Sequence, residues 1–325
     1  MKDRYGREIN YMRISVTDRC NLRCKYCMPE EGIVSVGHQE ILSYDEILQI
    51  VKICCKKGIK NIKITGGEPL VRRDLAELIN DIKKVEGIEQ VTLTTNGVLL
   101  GEYLDELVAA GLSGVNISLD TLDPKRYEML TGVDALDKVL DSINRAANHP
   151  ALKVKINVVN INELNQDEIC SLATLARDKD VDVRFIEMMP IGMGKNFKGY
   201  YQDDIMKKLT TEFGTIDAVE SKLGNGPATY YKLEGFIGKI GFISSISHKF
   251  CGSCNRIRLT ADGRLKSCLQ YADGVNLKEA IRGNASEAEL KELVESAIFL
   301  KPKQHEFLLD SVEDGEKNLM NKIGG

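Results

Sequence analysis

The chain has 325 residues, 43% of them hydrophobic and 28% charged, with a net charge of −4. That is enough apolar material for one large domain, or a large one and a small one. The charge balance argues against a general nucleic-acid or membrane-surface binder, yet leaves room for a local basic patch and an anionic ligand. The opening MKDRYGREINYMRISV lacks the apolar core of a signal peptide, and no run approaches the roughly 20 apolar residues that span a bilayer. A soluble cytoplasmic protein with no membrane or nucleic-acid partner is therefore expected. Its nine cysteines are expected as thiols, and the grouped ones read first as metal or redox ligands.

In chain order, six strand-like runs come first, at residues 11–17, 60–65, 90–95, 114–119, 153–159 and 181–187. Most are rich in Val, Ile and Thr and short enough for parallel strands buried on both faces. Amphipathic segments separate them: YDEILQIVKICCKKG with Gly58 as its C-cap, then DLAELINDIKKVEG, EYLDELVAAG, DALDKVLDSINRAANHP and QDEICSLATLARDKD. The βα alternation implies a parallel sheet with right-handed crossovers, either open or curled into a barrel. It weakens after Pro190, where Gly192, Gly194 and Gly199 mark a loop. A helix is expected near residues 201–213, a turn-rich junction at LGNGPAT, and hairpin strands in TYYKLEG and GKIGFIS. A long helix is expected from Ser286 to about Leu300. The chain divides on this reading into residues 1–220 and 221–325.

Two cysteine triplets stand out. Cys20, Cys24 and Cys27, in DRCNLRCKYCMP, follow the first strand and so sit at the edge where α/β folds place their chemistry. Cys251, Cys254 and Cys268 span FCGSCNRIRLTADGRLKSC, with Asp262-Gly263 as a hairpin turn. A cubane iron–sulfur cluster held by three thiolates keeps one iron free for a ligand, whereas structural zinc wants four closed ligands. Cys54, Cys55 or His38 could complete a zinc site at the first triplet, and His248 at the second. The C-x-x-x-C-x-x-C spacing with Tyr26 favours a three-ligand cubane at the first; the second leaves zinc and iron–sulfur open. Cys54, Cys55 and Cys170 lie on apolar helix faces and read as buried small hydrophobes.

Gly66-Gly67-Glu68-Pro69 follows the second strand; its glycines allow close backbone approach to a ligand, and Glu68 can accept from an ammonium. Arg13, Lys63, Lys155 and Arg184 fall on four separate strands. Charges in mostly apolar strands are costly unless paired or facing a polar cavity, so together they indicate a common cationic interior suited to phosphates.

The strings CNLRCKYC and Gly66-Gly67-Glu68-Pro69 resemble the radical S-adenosylmethionine (SAM) superfamily. With the second triplet, the Arg256-Ile257-Arg258 run and the terminal Gly324-Gly325, the resemblance narrows to the GTP 3′,8-cyclase family of molybdenum-cofactor biosynthesis and covers nearly the whole chain. It implies an α/β fold: an incomplete six-unit TIM-like βα barrel, closed by a C-terminal α+β extension that carries a second iron–sulfur cluster. The implied cofactors are SAM and two [4Fe-4S] clusters, on Cys20, Cys24 and Cys27 and on Cys251, Cys254 and Cys268. The implied substrate is GTP and the product its 3′,8-cyclised 7,8-dihydro form.

By the same resemblance, Tyr26, Gly66, Gly67, Glu68, Ser118 and Met189 line the SAM pocket. Arg13, Lys63, Thr94, Lys155, Arg256, Ile257 and Arg258 contact GTP, Arg184 stabilises a late radical, and Gly324 and Gly325 enter the active site as a tail. Lys63 departs from the arginine usual in the family, keeping the charge but losing the bidentate fork. The implied partners are a low-potential electron donor and a cyclic pyranopterin monophosphate synthase that takes the product; monomer and homodimer both stay open. Two other readings are a two-cluster peptide modifier, which needs no triphosphate-binding cations, and a non-catalytic zinc-binding module, which would contain no iron.

Overall fold

The computed structural model describes residues 1–32, 37–220, 223–307, 316 and 318–324; Gly325 and the side chain of His38 lie outside the described residues. Six parallel strands form its centre: β1 (Tyr11–Ser15), β2 (Asn61–Thr65), β3 (Gln90–Thr95), β4 (Gly114–Ser118), β5 (Lys153–Asn160) and β6 (Val181–Glu187). They pair in sequence order, as right-handed βα connections require. The connecting helices are α1 (Tyr44–Lys56), α2 (Leu75–Lys83), α3 (Leu100–Ala109), α4 (Pro124–Thr131), α5 (Leu136–Ala147) and α6 (Ile169–Ala173). Their apolar stripes pack on the strands' outer side chains, such as Ile14, Ile64, Leu93, Ile117 and Ile156, all fully buried. Helix α1 starts at a capping box: Ser43 accepts from the Glu46 amide, and Glu46 accepts from the Ser43 amide.

The rest of the chain comprises α7 (Gln202–Phe213), β7 (Ile216–Val219), β8 (Thr229–Leu233), β9 (Ile240–Ile243), β10 (Arg256–Leu259), β11 (Arg264–Lys266), β12 (Val275–Asn276), α8 (Leu277–Arg282), α9 (Glu287–Phe299) and α10 (Met320–Ile323). It extends both edges of the six-strand core: β9 adds parallel to β6 and β10 adds parallel to β1, giving the order β12-β11-β10-β1-β2-β3-β4-β5-β6-β9-β8-β7. The fold is thus α/β, an incomplete barrel with a C-terminal extension. Position 220 falls between β7 and β8, which pair with each other. Among the described residues no helix is long and apolar enough to cross a membrane.

Several elements differ from expectation. Strand β1 stops at Ser15, because the chain beyond it turns to meet the Gly66-Gly67 loop: the Gly67 and Glu68 amides donate to the Thr17 and Arg19 carbonyls at 2.7 Å. Helix α4 was not expected, although Asp123 caps it by accepting from the Arg126 amide at 2.7 Å and Pro124 opens it. Strands β7 and β12 and helices α8 and α10 are too short to show a period.

Ile257 was expected among the nucleotide contacts. It alternates with Arg256 and Arg258 along β10, and its side chain packs fully buried in the hydrophobic core, away from the cations. Truncation there acts on stability: Ile257→Ala is expected to lower the unfolding free energy by about 2–5 kcal/mol, read from the denaturant midpoint, and an effect below about 0.5 kcal/mol would contradict this placement.

Candidate active site

The topology sets the two cysteine triplets at opposite ends of the barrel. The first follows the C-terminal end of β1. The second lies at the other end, since Cys251 and Cys254 precede β10, which runs parallel to β1, and Cys268 follows the antiparallel β11. A cavity of about 540 Å³ is lined by the first triplet and also by Arg256, two residues beyond Cys254 of the second.

In a parallel ladder, residues in register project to the same face. Arg258 pairs with Arg13, and Arg13 pairs with Lys63, so three cations of three adjacent strands form one row across the cavity wall. Asn116 pairs with Lys155, and Ser118, Asn157 and Arg184 form a further row. Lys63 is 7% exposed and Arg258 8%. Burial holds Lys63 well below its usual pKa, and repulsion from Arg184, Arg13 and Lys155 adds to this. Arg258 is lowered in the same way, by burial and then by Arg13 and Arg256. Confined like charges of this kind favour an anion between them.

Several of these cations are held by their neighbours. Asn157 accepts from Arg184 Nε at 3.0 Å and Nη2 at 2.5 Å, and Gly241 leaves the space that Arg184 fills, since a Cβ there would lie 2.9 Å from its Cγ. Lys155 donates to the Tyr230 hydroxyl at 2.8 Å and to the Leu223 carbonyl at 3.2 Å, with Asp182 at 3.6 Å. The 223–228 loop covers this end of the cavity: Asn225 donates to Asn61 and Gln90, each at 2.8 Å.

At the other end, Cys20, Cys24 and Cys27 all reach the cavity, with Tyr26, Gly66, Gly67, Glu68, Ser118 and Met189. Ser118 ends β4, while Met189 lies two residues beyond the end of β6. Thr94 and Arg256 also line the cavity. On their Cβ side the glycines meet backbone: a Cβ on Gly66 would lie 2.8 Å from the Thr17 carbonyl oxygen, and one on Gly67 2.3 Å from that of Arg19. They clamp the segment leading into the cysteine loop. Glu68 accepts from the Leu70 amide (3.1 Å), the Thr95 hydroxyl (2.7 Å) and the Asn96 amide (2.7 Å). Asn96 in turn donates to Asn21 at 2.8 Å and lies 3.9 Å from Cys20 Sγ.

Tyr26 donates to Asp120 at 2.6 Å, and Asp120 also accepts from the Val159 amide at 2.8 Å. The chain's end closes this mouth. Asn321 donates to the Asp18 carbonyl at 2.9 Å, and the Gly324 carbonyl accepts from Arg258 Nη1 at 2.7 Å. A Cβ on Gly324 would lie 3.0 Å from that of Ser15.

The thiols fit a bound iron–sulfur group. Burial pushes Cys20 up to about 11 and Cys27 up to about 12, and it also raises Cys24, with repulsion from Cys27 and Asp120. Thiolates in such a site call for the positive charge of bound metal. At the second triplet, burial acts to raise Cys254, but Arg256 and Lys301 outweigh it and bring the thiol down to about 6. Among the described residues no three His, Cys, Asp or Glu side chains are grouped as ligands of a single metal ion would be. Cys54 is sealed in the core, Cys55 donates to the Glu86 carbonyl at 3.0 Å, and His248 is engaged with Ser247 at 2.8 Å and Asp203 at 3.9 Å.

A partial parallel barrel with three thiols at the C-terminal end of its first strand is the architecture of a radical SAM protein, and the radical SAM superfamily profile matches residues 14–176. A second profile, Molybdenum Cofactor Synthesis C, matches residues 181–307. Curated proteins named GTP 3′,8-cyclase from Clostridium perfringens (strain 13 / Type A) and Alkaliphilus oremlandii (strain OhILAs) are 46% and 45% identical to this chain, over the full length of both partners. The chain belongs to the GTP 3′,8-cyclase family, whose cofactors are SAM and two [4Fe-4S] clusters.

Among solved structures, Streptococcus suis SuiB bound to S-adenosylmethionine aligns with TM-score 0.59 and 16% identity, covering 81% of this chain and 60% of that one. SuiB bound to precursor peptide SuiA aligns with TM-score 0.62 and 15% identity, covering 91% and 66%. At these identities the likeness is one of fold alone.

Sequence reasoning missed Asn157, Asp120 and Asn116. Asn157 had a signal: it continues the alternation Lys153, Lys155, Asn157 along one strand. Glu68 gives the site a pH signature. Its carboxyl, ordinarily at 4.5, is pushed up to about 7 by burial, against the pull of its three donors. The folded chain therefore binds this proton more tightly than the unfolded one, so stability falls as pH rises from about 4.5 to about 7 and then levels. Glu68→Gln is expected to make the slope of unfolding free energy against pH less negative across that window in the SAM-free chain; equal slopes for both proteins would contradict it.

Proposed function

We propose that this chain catalyses the GTP 3′,8-cyclase reaction, joining ribose C3′ of GTP to guanine C8 to give (8S)-3′,8-cyclo-7,8-dihydro-GTP, the first step of molybdenum-cofactor biosynthesis. The observation that carries this reading is the Arg258, Arg13, Lys63 row on the wall of the cavity that the first thiol triplet also lines. Three cations with Lys155 and Arg256 nearby match the charge of a triphosphate.

Cys20, Cys24 and Cys27 would hold one cluster and Cys251, Cys254 and Cys268 the other. When bound, the first cluster with SAM supplies the 5′-deoxyadenosyl radical that removes the ribose 3′ hydrogen, and the second offers an open iron to the guanine base.

The chain's own residues bind, orient and seal. Arg13, Arg256 and Arg258 grip the triphosphate, with Lys63 as a point charge in place of a fork and Thr94 beside it. Tyr26, held by Asp120, and Ser118 and Met189 form walls of the SAM pocket. Arg184, fixed by Asn157, stands where it can stabilise a late radical on the nucleotide. Gly324 brings the tail against Arg258 and Ser15, so the tail both excludes water and fixes one guanidinium. A low-potential electron donor and a cyclic pyranopterin monophosphate synthase are the partners this chemistry asks for. A cytoplasmic location suits its free thiols.

Anaerobic incubation of the reconstituted protein with GTP, SAM and dithionite is expected to yield a nucleotide isomeric with GTP, detected by chromatography and mass analysis; unaltered GTP alongside active SAM cleavage would reject the assignment. Cys24→Ala is expected to abolish 5′-deoxyadenosine formation, and continued formation would remove the first triplet from this role. The double variant Arg256→Ala/Arg258→Ala is expected to weaken GTP binding at least about tenfold, from about 1.5–3 kcal/mol per charge-assisted bond, while keeping about eight irons per chain. Unchanged affinity by calorimetry would refute the substrate site.

A further inference from the structure

We propose that Lys301 is a positioning residue that sets the charge around the iron–sulfur cluster at Cys251, Cys254 and Cys268 and thereby raises its reduction potential. The inference rests on the cluster assignment made above.

Lys301 follows α9 and is 3% exposed. Its ammonium donates to the Arg256 carbonyl at 2.8 Å and to the Ser267 carbonyl. Those carbonyls lie two residues after Cys254 and one before Cys268, so a single side chain ties together the two segments that carry these thiols. Among the described residues Lys301 forms no ion pair with a carboxylate. The buried acid nearby in sequence, Glu316, is bound to Lys266. Arg7 provides the contrast. It donates to the Cys251 carbonyl at 2.8 Å, the Lys303 carbonyl at 3.0 Å and the Pro302 carbonyl at 2.6 Å, but Asp3 neutralises it at 2.6 Å. Arg7 is thus paired with an acid, whereas Lys301 has no carboxylate partner among the described residues.

A buried ammonium without an acid is costly unless another anion is close. The anionic partners on offer are the Cys254 and Cys268 thiolates, whose attraction opposes the burial that lowers the Lys301 pKa. A three-thiolate cubane is negative when oxidised and gains one more negative charge on reduction. A fixed cation beside it stabilises the reduced form more than the oxidised form, which makes the potential less negative. The first triplet has mixed surroundings: Glu68 and Arg23 lie near Cys20, and Asp120 near Cys24.

The full chain carrying Cys20→Ala/Cys24→Ala/Cys27→Ala isolates the second cluster for measurement. In that background Lys301→Gln keeps a donor for the carbonyls but drops the charge, Lys301→Met drops both, and Lys301→Arg keeps the charge. Titration with dithionite, followed by electron paramagnetic resonance and iron analysis, is expected to give a more negative potential for Gln and Met than for Lys, with Arg close to Lys. Loss of iron in Gln and Met but not in Arg would support the same charge role. Equal potentials for Lys and Gln at equal iron content would overturn the proposal, as would loss of iron in all three variants alike, which would make Lys301 a packing residue. Absence of iron from the second triplet before Lys301 is changed would instead overturn the cluster assignment, and this inference with it.

Discussion

Repulsion among buried like charges is the constraint around which this protein is organised. Parallel register puts Arg258, Arg13 and Lys63 side by side on one barrel wall, and burial denies Lys63 and Arg258 water. The sheet can carry such a row because its outward residues, Ile14, Ile64, Leu93 and Ile117 among them, build a large apolar layer with the helices. Apolar burial at roughly 25 cal/mol per Å² then offsets a polar interior that is unfavourable on its own. The interior is thereby prepared for a polyanion, and little reorganisation is needed when one arrives.

The two thiol triplets differ in what surrounds them. The first sits among acids, amides and a tyrosine, with every thiol pushed up. The second has Cys254 drawn down to about 6 beside Arg256 and Lys301. The chain closes both ends of the cavity itself, with the 223–228 loop at one and Gly324 at the other.

The second half of the chain behaves as an edge extension. Strand β10 lies beside β1 and β9 beside β6, although both come late in the sequence. Arg256 and Arg258 reach the cation row through the β10 pairing, and the same alternation turns Ile257 into the core.

Much of this was legible in the residues. The βα alternation, the cysteine spacings and the charges inside apolar strands each carry a local physical signal: a period of two or of 3.6, a ligand spacing, or a desolvation penalty. Helix α4 was legible as well, in its Asp-Pro start, and was overlooked. Other features had no local signal. That Gly66 and Gly67 clamp Thr17 and Arg19, that Asp120 holds Tyr26, and that Lys301 reaches the carbonyls of Arg256 and Ser267 all depend on segments far apart in the chain. The sequence by itself determined the kinds of element and the chemical groups they carry, because these follow from neighbours a few residues away. Only the tertiary structure decided which groups share an interior, because register and edge pairing set the partners of each buried charge, and no local pattern encodes them.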